Sequence, residues 1–208
     1  MNPFIFRKED IRGIVDQDWS AHDAGLISKA FGTWLLSKGE TKVILSYDNR
    51  LSTPKISSEV RAGLLSTGVN VIDIGLGITP LVYFARQQLK IKGAVMITAS
   101  HNPPEWNGLK LCYHGATTIY GDDIQEIRRL TEGGEFTQGS GKVEKKDLTE
   151  VYMGMLEKHL ALEDGVRKPQ ESKTLKVVVD AGNAPAGVYA VPLLENLGCQ
   201  VVQLHTRL

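Results

Sequence analysis

A serine, a histidine, an arginine and a lysine stand out as residues that could do chemistry together. Ser100 and His101 adjoin each other in TASHNPP (98–104), directly behind the apolar run KGAVMIT (92–98); Lys110 follows, and Arg12 lies near the N-terminus. A residue that precedes proline is pushed out of the α region, so Asn102 and Pro103 are held extended and the second half of this loop is stiff. A serine lifted off the end of a buried strand ahead of such a stretch can meet a ligand in one fixed pose. Arg12, His101 and Lys110 offer cationic or donor groups to an anion, which suits a serine that faces phosphate. A Ser/Asn/Pro turn without chemistry is the plain alternative. A serine hydrolase fits less well. The nucleophile elbow needs G-x-S-x-G, whereas Ser100 is flanked by Thr98, Ala99, His101 and Asn102, and triad bases usually arrive from elsewhere in the chain.

The elements that must position these residues follow an α/β rhythm. Phe4 and Phe6 read as a short strand. Ser20 with Asp23 forms a capping-box pattern ahead of a helix whose apolar face is Ile27, Phe31, Trp34 and Leu35. KVILSY (42–47) is a β-branched strand, and the polar loop DNRLST follows it. Thr53 is expected to cap a helix with Pro54 at its first position. VNVIDI (69–74), a helix opened by Thr79 and Pro80, and KGAVMIT (92–98) continue the pattern. The last of these lacks polar alternation and is expected to be buried on both faces. GLKLCYH (108–114) does alternate, with Lys110, Cys112 and His114 on one side, and reads as a return strand antiparallel to the rest at or near an edge. GDDIQEIRRL (121–130) is a helix.

Strands alternating with helices imply a doubly wound sheet: an α/β fold in three layers, α/β/α, with a mixed, mainly parallel sheet. Ligands in such sheets bind outside the carboxyl ends of the strands, where Ser100 falls. Residues 1–132 are expected to form the complete domain. Residues 133–146, rich in Gly and charge, read as a flexible connection. Residues 147–208 read as the start of a second α/β domain: a capping-box pattern at Asp147 and Glu150, a helix over 151–160, a polar stretch (161–173), the strands LKVVVD (175–180) and CQVVQLH (199–205), and between them a helical stretch broken near Pro192. One strand–helix–strand unit is too little to close a domain, so the expectation is a truncated second domain whose uncovered apolar surface favours self-association.

Lys+Arg and Asp+Glu both number 24, so no global field recruits nucleic acid or an anionic membrane, and any phosphate specificity is local. Cys112 and Cys199 are far apart and form no CxxC, and the opening MNPFIFRKEDIRG has no apolar run suited to a signal peptide. The expectation is a reduced, cytoplasmic setting with no membrane partner. His114 and Cys112 suggest a metal pair, but no third ligand is evident, so fold roles are preferred for them. Asp48 and Arg50 are expected to brace their loop rather than react. DAGNAPAG (180–187) lacks the Walker lysine and the dinucleotide glycine spacing, and reads as a tight strand-to-helix turn.

TASHNPPEWNGLKL (98–111) closely resembles the active-serine loop of the α-D-phosphohexomutases, the phosphoglucomutase/phosphomannomutase family. FRKEDIRG (6–13), SYDNRLSTP (46–54) and KVVVDAGNAPAG (176–187) resemble three further family segments in the same order. The resemblance implies interconversion of hexose 1- and 6-phosphates through a phosphoryl group on Ser100, with a phosphorylated hexose and a hexose bisphosphate as partners. It implies Arg12 near that phosphate, His101 beside the serine and Lys110 in proton transfer. It also implies Mg²⁺, held by a phosphoryl oxygen on Ser100 and by a D-G-D-x-D-R loop, a pattern this sequence does not contain. The chain is therefore expected to be an N-terminal part, inactive by itself. A non-catalytic phosphoprotein or assembly module that keeps the first domain is the alternative. Glu9 stands where the family often has tyrosine; a carboxylate repels a phosphoserine, so Glu9 is expected to point away or pair with a cation. Glucose, mannose and glucosamine phosphates are not distinguished by these residues.

Overall fold

Gly93–Ile97 is a strand buried along its whole length, as its unbroken apolar run requires. It lies in a six-stranded sheet seen in a computed structural model that describes residues 1–115, 117–160 and 175–208. In chain order the first unit, Met1–Lys146, contains β1 (Ile11–Ile14), α1 (Ala21–Ser37), β2 (Lys42–Tyr47), α2 (Thr53–Ser66), β3 (Asn70–Leu76), α3 (Thr79–Leu89), β4 (Gly93–Ile97), β5 (Trp106–Cys112), α4 (Asp122–Gly133) and β6 (Val143–Lys145). The sheet order is β1-β5-β4-β2-β3-β6. β2 pairs in parallel with β3 and β4, and β3 with β6. β5 is the reversed strand, antiparallel to both β4 and β1, and lies second from the edge. The sheet is mixed and mainly parallel, as the alternation of elements predicts.

Alternation along the strands divides the core into two layers. Val43, Leu45, Val71, Val95, Ile97, Leu109 and Leu111 pack with Ile27, Phe31 and Trp34 of α1, Ile56, Val60 and Leu64 of α2, and Ile124 and Ile127 of α4. Ile44, Ala94, Met96 and Cys112 are buried on the opposite face, where α3 packs on β2 and β4. The Ser20–Asp23 capping box forms as read, with both reciprocal bonds present.

Several local readings need correction. Phe4 and Phe6 do not form a strand: Pro3–Ile5 is a 3₁₀ turn, because Pro3 fixes φ and the Asn2 side chain accepts the Phe4 N–H. Thr53 is the first residue of α2 rather than its cap, and its hydroxyl donates to Asp48 Oδ1 at 3.0 Å. The first unit does not close at residue 132. Residues 139–145 return to the sheet: Gly139 and Gly141 N–H groups donate to the carbonyls of Ser66 and Leu65, and β6 adds beside β3. A side chain at position 141 would come within 2.0 Å of the Val69 carbonyl oxygen, so glycine allows this close approach. The Gly-rich composition that reads as a connection thus serves a docked backbone.

The second unit, Asp147–Leu208, contains α5 (Thr149–Leu160), β7 (Lys176–Asp180), α6 (Ala186–Asn196) and β8 (Gln200–Leu204). The polar stretch 161–173 lies outside the described residues. Asp147 accepts the Thr149 N–H at 2.8 Å where the helix begins. β7 and β8 are parallel, from Lys176 opposite Gln200 to Asp180 opposite Leu204. α6 is not broken by Pro192 but runs through it. The Tyr152 and Tyr189 rings of α5 and α6 meet edge to face at 6.1 Å. DAGNAPAG makes the expected strand-to-helix turn, with Asp180 Oδ1 accepting the Gly182 N–H and Asn183 at φ 57°.

Candidate active site

The site is built at the carboxyl end of β4. Past Ile97 the chain is held by its own polar groups: the Thr98 N–H donates to the Gly108 carbonyl at 3.0 Å, and Thr98 Oγ1 accepts the Ser100 N–H at 3.0 Å. The Asn102 N–H donates to the Ala99 carbonyl, and the Trp106 N–H to that of Pro103. Ser100 is exposed and sits at φ 56°, in the left-handed region that disfavours any residue with a Cβ. Its Oγ is 3.2 Å from His101 Nδ1.

Register brings the cations to this end. Arg12 of β1 faces Gly108 of β5, and Lys110 lies two residues further on the same strand, opposite Met96. Arg12 and Lys110 therefore share one face of the sheet. Gly108 is required for the approach of three segments: a Cβ there would meet the Ile11 carbonyl oxygen at 2.4 Å and that of Thr98 at 3.0 Å. The Arg12 side chain is 11% exposed. Its Nη1 donates to Asn102 Oδ1 at 2.8 Å, and its Nη2 is paired with Asp10. The same guanidinium thus holds a largely buried ion pair and reaches the serine loop. Arg12 Nε is buried with no partner among the described residues. Lys110 is half-buried, with no ion pair among them either. Glu9 is exposed, and no ion pair holds it among the described residues.

Asp48 and Arg50 leave the end of β2 beside this loop. Arg50 donates Nε–H to Asp48 Oδ2 at 3.2 Å. Its Nη1 donates to the carbonyls of Pro103 (2.7 Å) and Trp106 (3.0 Å), and its Nη2 to those of Ser100 (2.9 Å) and Asn102 (2.8 Å). Arg50 braces the loop, as its sequence position suggests. Sequence position alone assigns no hydrogen-bonding role to Asn102, Asn107 or Thr98. Nothing marks an asparagine as an arginine's partner ninety residues away in the chain until the register of β1 on β5 is known.

The other candidates fall outside this cluster. Burial pushes the Cys112 thiol up to about 11, so it stays protonated at neutral pH and is a poor metal ligand. His114 Nε2 instead meets Asp123 Oδ2 at 2.8 Å. Among the described residues no group of three or more His, Cys, Asp or Glu could hold a metal ion, and no helix is long and apolar enough to cross a membrane.

Comparison with known proteins matches residues 3–138 to the family described as phosphoglucomutase/phosphomannomutase, alpha/beta/alpha domain I. The chain belongs to the phosphoglucomutase/phosphomannomutase family. It is 38% identical over 201 residues to a phosphomannomutase/phosphoglucomutase of Pseudomonas aeruginosa, covering 97% of this chain and 41% of that protein. It is 35% identical over 202 residues to a phosphoglucomutase of Neisseria meningitidis, covering 96% of this chain and 42% of that protein. A solved phosphoglucomutase/phosphomannomutase family protein from Burkholderia thailandensis superposes with a TM-score of 0.87 at 34% identity, over 100% of this chain and 45% of the other. The chain thus spans less than half the length of these relatives.

Proposed function

We propose that this chain carries the phosphoryl-donating part of a phosphohexomutase that interconverts hexose 1-phosphate and hexose 6-phosphate. In this reading phospho-Ser100 transfers its phosphoryl group to a hydroxyl of the sugar phosphate: the bond from phosphorus to Ser100 Oγ breaks as a bond to the sugar oxygen forms. The hexose bisphosphate so made returns its other phosphoryl group to Ser100. Lys110 accepts the proton of the attacking sugar hydroxyl, and His101 exchanges a proton with Ser100 Oγ. Phosphoryl transfer rests largely on positioning and charge stabilisation. Arg12 suits that role, because its guanidinium is fixed beside the serine loop by Asn102 and Asp10. The observation that carries the reading is the exposed Ser100, held at the strand end with His101 at 3.2 Å, in a chain of this family.

Mg²⁺ is expected in the intact protein, where it would offset charge on the transferring phosphoryl group. The residues described here fit only part of such a site. Asp10 and Asp48 are each engaged by an arginine, and no cluster of three ligands occurs among the described residues. A phosphorylated Ser100 would supply one oxygen, and the carboxylates would come from elsewhere in a longer protein.

The test is intact-mass and peptide mass spectrometry of a full-length parent protein, before and after incubation with a hexose bisphosphate. Phosphate on Ser100 is expected, with none taken up and no mutase turnover in Ser100→Ala. A functional mutase with phosphate elsewhere and Ser100 always bare would defeat the assignment.

A further inference from the structure

Arg12 and Arg50 both hydrogen-bond to the Ser100 loop, and they are used differently. Arg12 keeps a buried Nε without a partner among the described residues. Arg50 has all five of its N–H donors engaged: one on Asp48 and four on the carbonyls of Ser100, Asn102, Pro103 and Trp106. It therefore has no donor left for a substrate phosphate. Three of its carbonyl partners belong to the loop that follows β4, and the fourth, Trp106, is the first residue of β5.

We propose that Arg50 is the positioning residue of the phosphoryl-transfer step, gathering the carbonyls of residues 100, 102, 103 and 106 around one planar fork and so holding Ser100 in the backbone conformation that presents its hydroxyl. This rests on the reading of Ser100 as the phosphoryl carrier. A left-handed serine persists only where its surroundings over-determine it. Inside the loop the main-chain bonds from Asn102 to Ala99 and from Trp106 to Pro103 are local, each spanning three residues. Arg50 hydrogen-bonds to both turns.

The fork is itself held. Asp48 accepts the Arg50 backbone N–H and its Nε–H, and also the Thr53 hydroxyl. Asn107 Nδ2 donates to Thr53 Oγ1 at 3.1 Å and to Ser52 Oγ at 2.9 Å, and Asn107 Oδ1 accepts the Gly108 N–H at 2.8 Å. Hydrogen bonds thus run without a break from the serine loop, through Arg50 and the start of α2, to the strand that carries Lys110. A lysine cannot replace this arrangement, since a point charge with three rotatable donors does not match a planar set of acceptors.

The test uses a full-length parent protein, with Arg50→Lys and Arg50→Ala followed by steady-state kinetics, uptake of phosphate by Ser100, amide hydrogen exchange and thermal melting. Both variants are expected to lose about 10²-fold in kcat, the scale of a reacting group misplaced by about 1 Å, with KM little changed. The Asn102 and Trp106 amides should exchange faster while those of β2 and β4 keep their protection. Guanidinium at a sub-denaturing concentration should restore part of the kcat of Arg50→Ala, and ammonium should not. If Arg50→Ala does not fold, Arg50→Lys carries the kinetic and exchange arms alone. Wild-type kcat in Arg50→Lys, or unchanged exchange of the loop in either folded variant, overturns the proposal and leaves the Ser100 reading standing if Ser100 takes up phosphate. A wild-type Ser100 that takes up none sinks that reading, and this proposal with it.

Discussion

The two units are written in the same alphabet and end up differently. KVILSY and KVVVD are both β-branched runs opened by lysine. Within β2, Val43, Ile44 and Leu45 are fully buried, because α1 and α2 cover one face and α3 the other. In the second unit Val178 is 61% exposed and Leu204 44%. The register of β7 on β8 puts Lys176, Val178 and Asp180 on one face with Gln200, Val202 and Leu204, and all six are exposed. Strand character comes from local composition, whereas stability comes from what covers the strand. The first unit has six strands and two helical layers. It is also the unit that carries Ser100, His101, Arg12 and Lys110, which suits a site that needs rigid support.

That contrast can be broken most sharply through chemistry. In a full-length parent protein, Arg12→Ala is expected to lower kcat by about 10²-fold or more, the usual cost of removing an electrostatic stabiliser. Lys110→Ala should also lower kcat, and it should change the pH profile if Lys110 moves the proton. Unchanged turnover in both would remove the chemical distinction of the first unit.

A matched pair of leucines gives the next largest effect. Leu45→Ala should destabilise the first unit by about 2–5 kcal/mol, the range for a buried leucine that leaves a cavity. Leu204→Ala should change the stability of the second unit by no more than about 0.5 kcal/mol, as exposed substitutions do. Chemical denaturation of this chain, read by unit-specific hydrogen exchange, measures both. Equal costs would show that Leu204 is covered in solution.

The smallest effect compares the two cysteines. Cys112 of the first unit is buried and Cys199 of the second is half-buried, so a neutral alkylating agent should label Cys199 first in the folded protein. Burial raises the Cys112 thiol from 9.0 to about 11. A raised acid binds its proton more tightly in the folded state, so its contribution is fully present below pH 9 and is lost as pH climbs towards 11. The alkaline fall in the denaturation midpoint should be shallower in Cys112→Ala than in the wild type. Identical slopes would show that Cys112 is hydrated.

The layers of the sheet were legible in the sequence because each strand reports its own environment. GAVMI has no polar alternation and is buried throughout; GLKLC alternates and is the reversed strand next to β1. Ser100, His101, Arg12 and Lys110 could be named from residue type and motif. The bonds among their supports could not, since Arg50 and Asn102 act across long stretches of chain through geometry that only pairing creates. β6 was missed for a related reason. Gly139 and Gly141 look like slack in a linear reading, and only the neighbouring Thr67–Val69 backbone explains them. Phe4 and Phe6 read as a strand by themselves, but Pro3 and the Asn2 side chain dictate a turn.

The grip of Arg50 has a consequence for how this loop can vary. Carbonyl oxygens are common to every amino acid, so the fork recognises the path of the main chain and is indifferent to most of its letters. The register is less tolerant. Ile97 faces Leu109 and Met96 faces Lys110 across β4 and β5, so losing or gaining one residue between them would turn Lys110 into the layer under α1, α2 and α4 and Leu109 to the α3 side, unless a bulge absorbed the change. The loop is therefore free to be respelled at many positions but not to be lengthened or shortened by one.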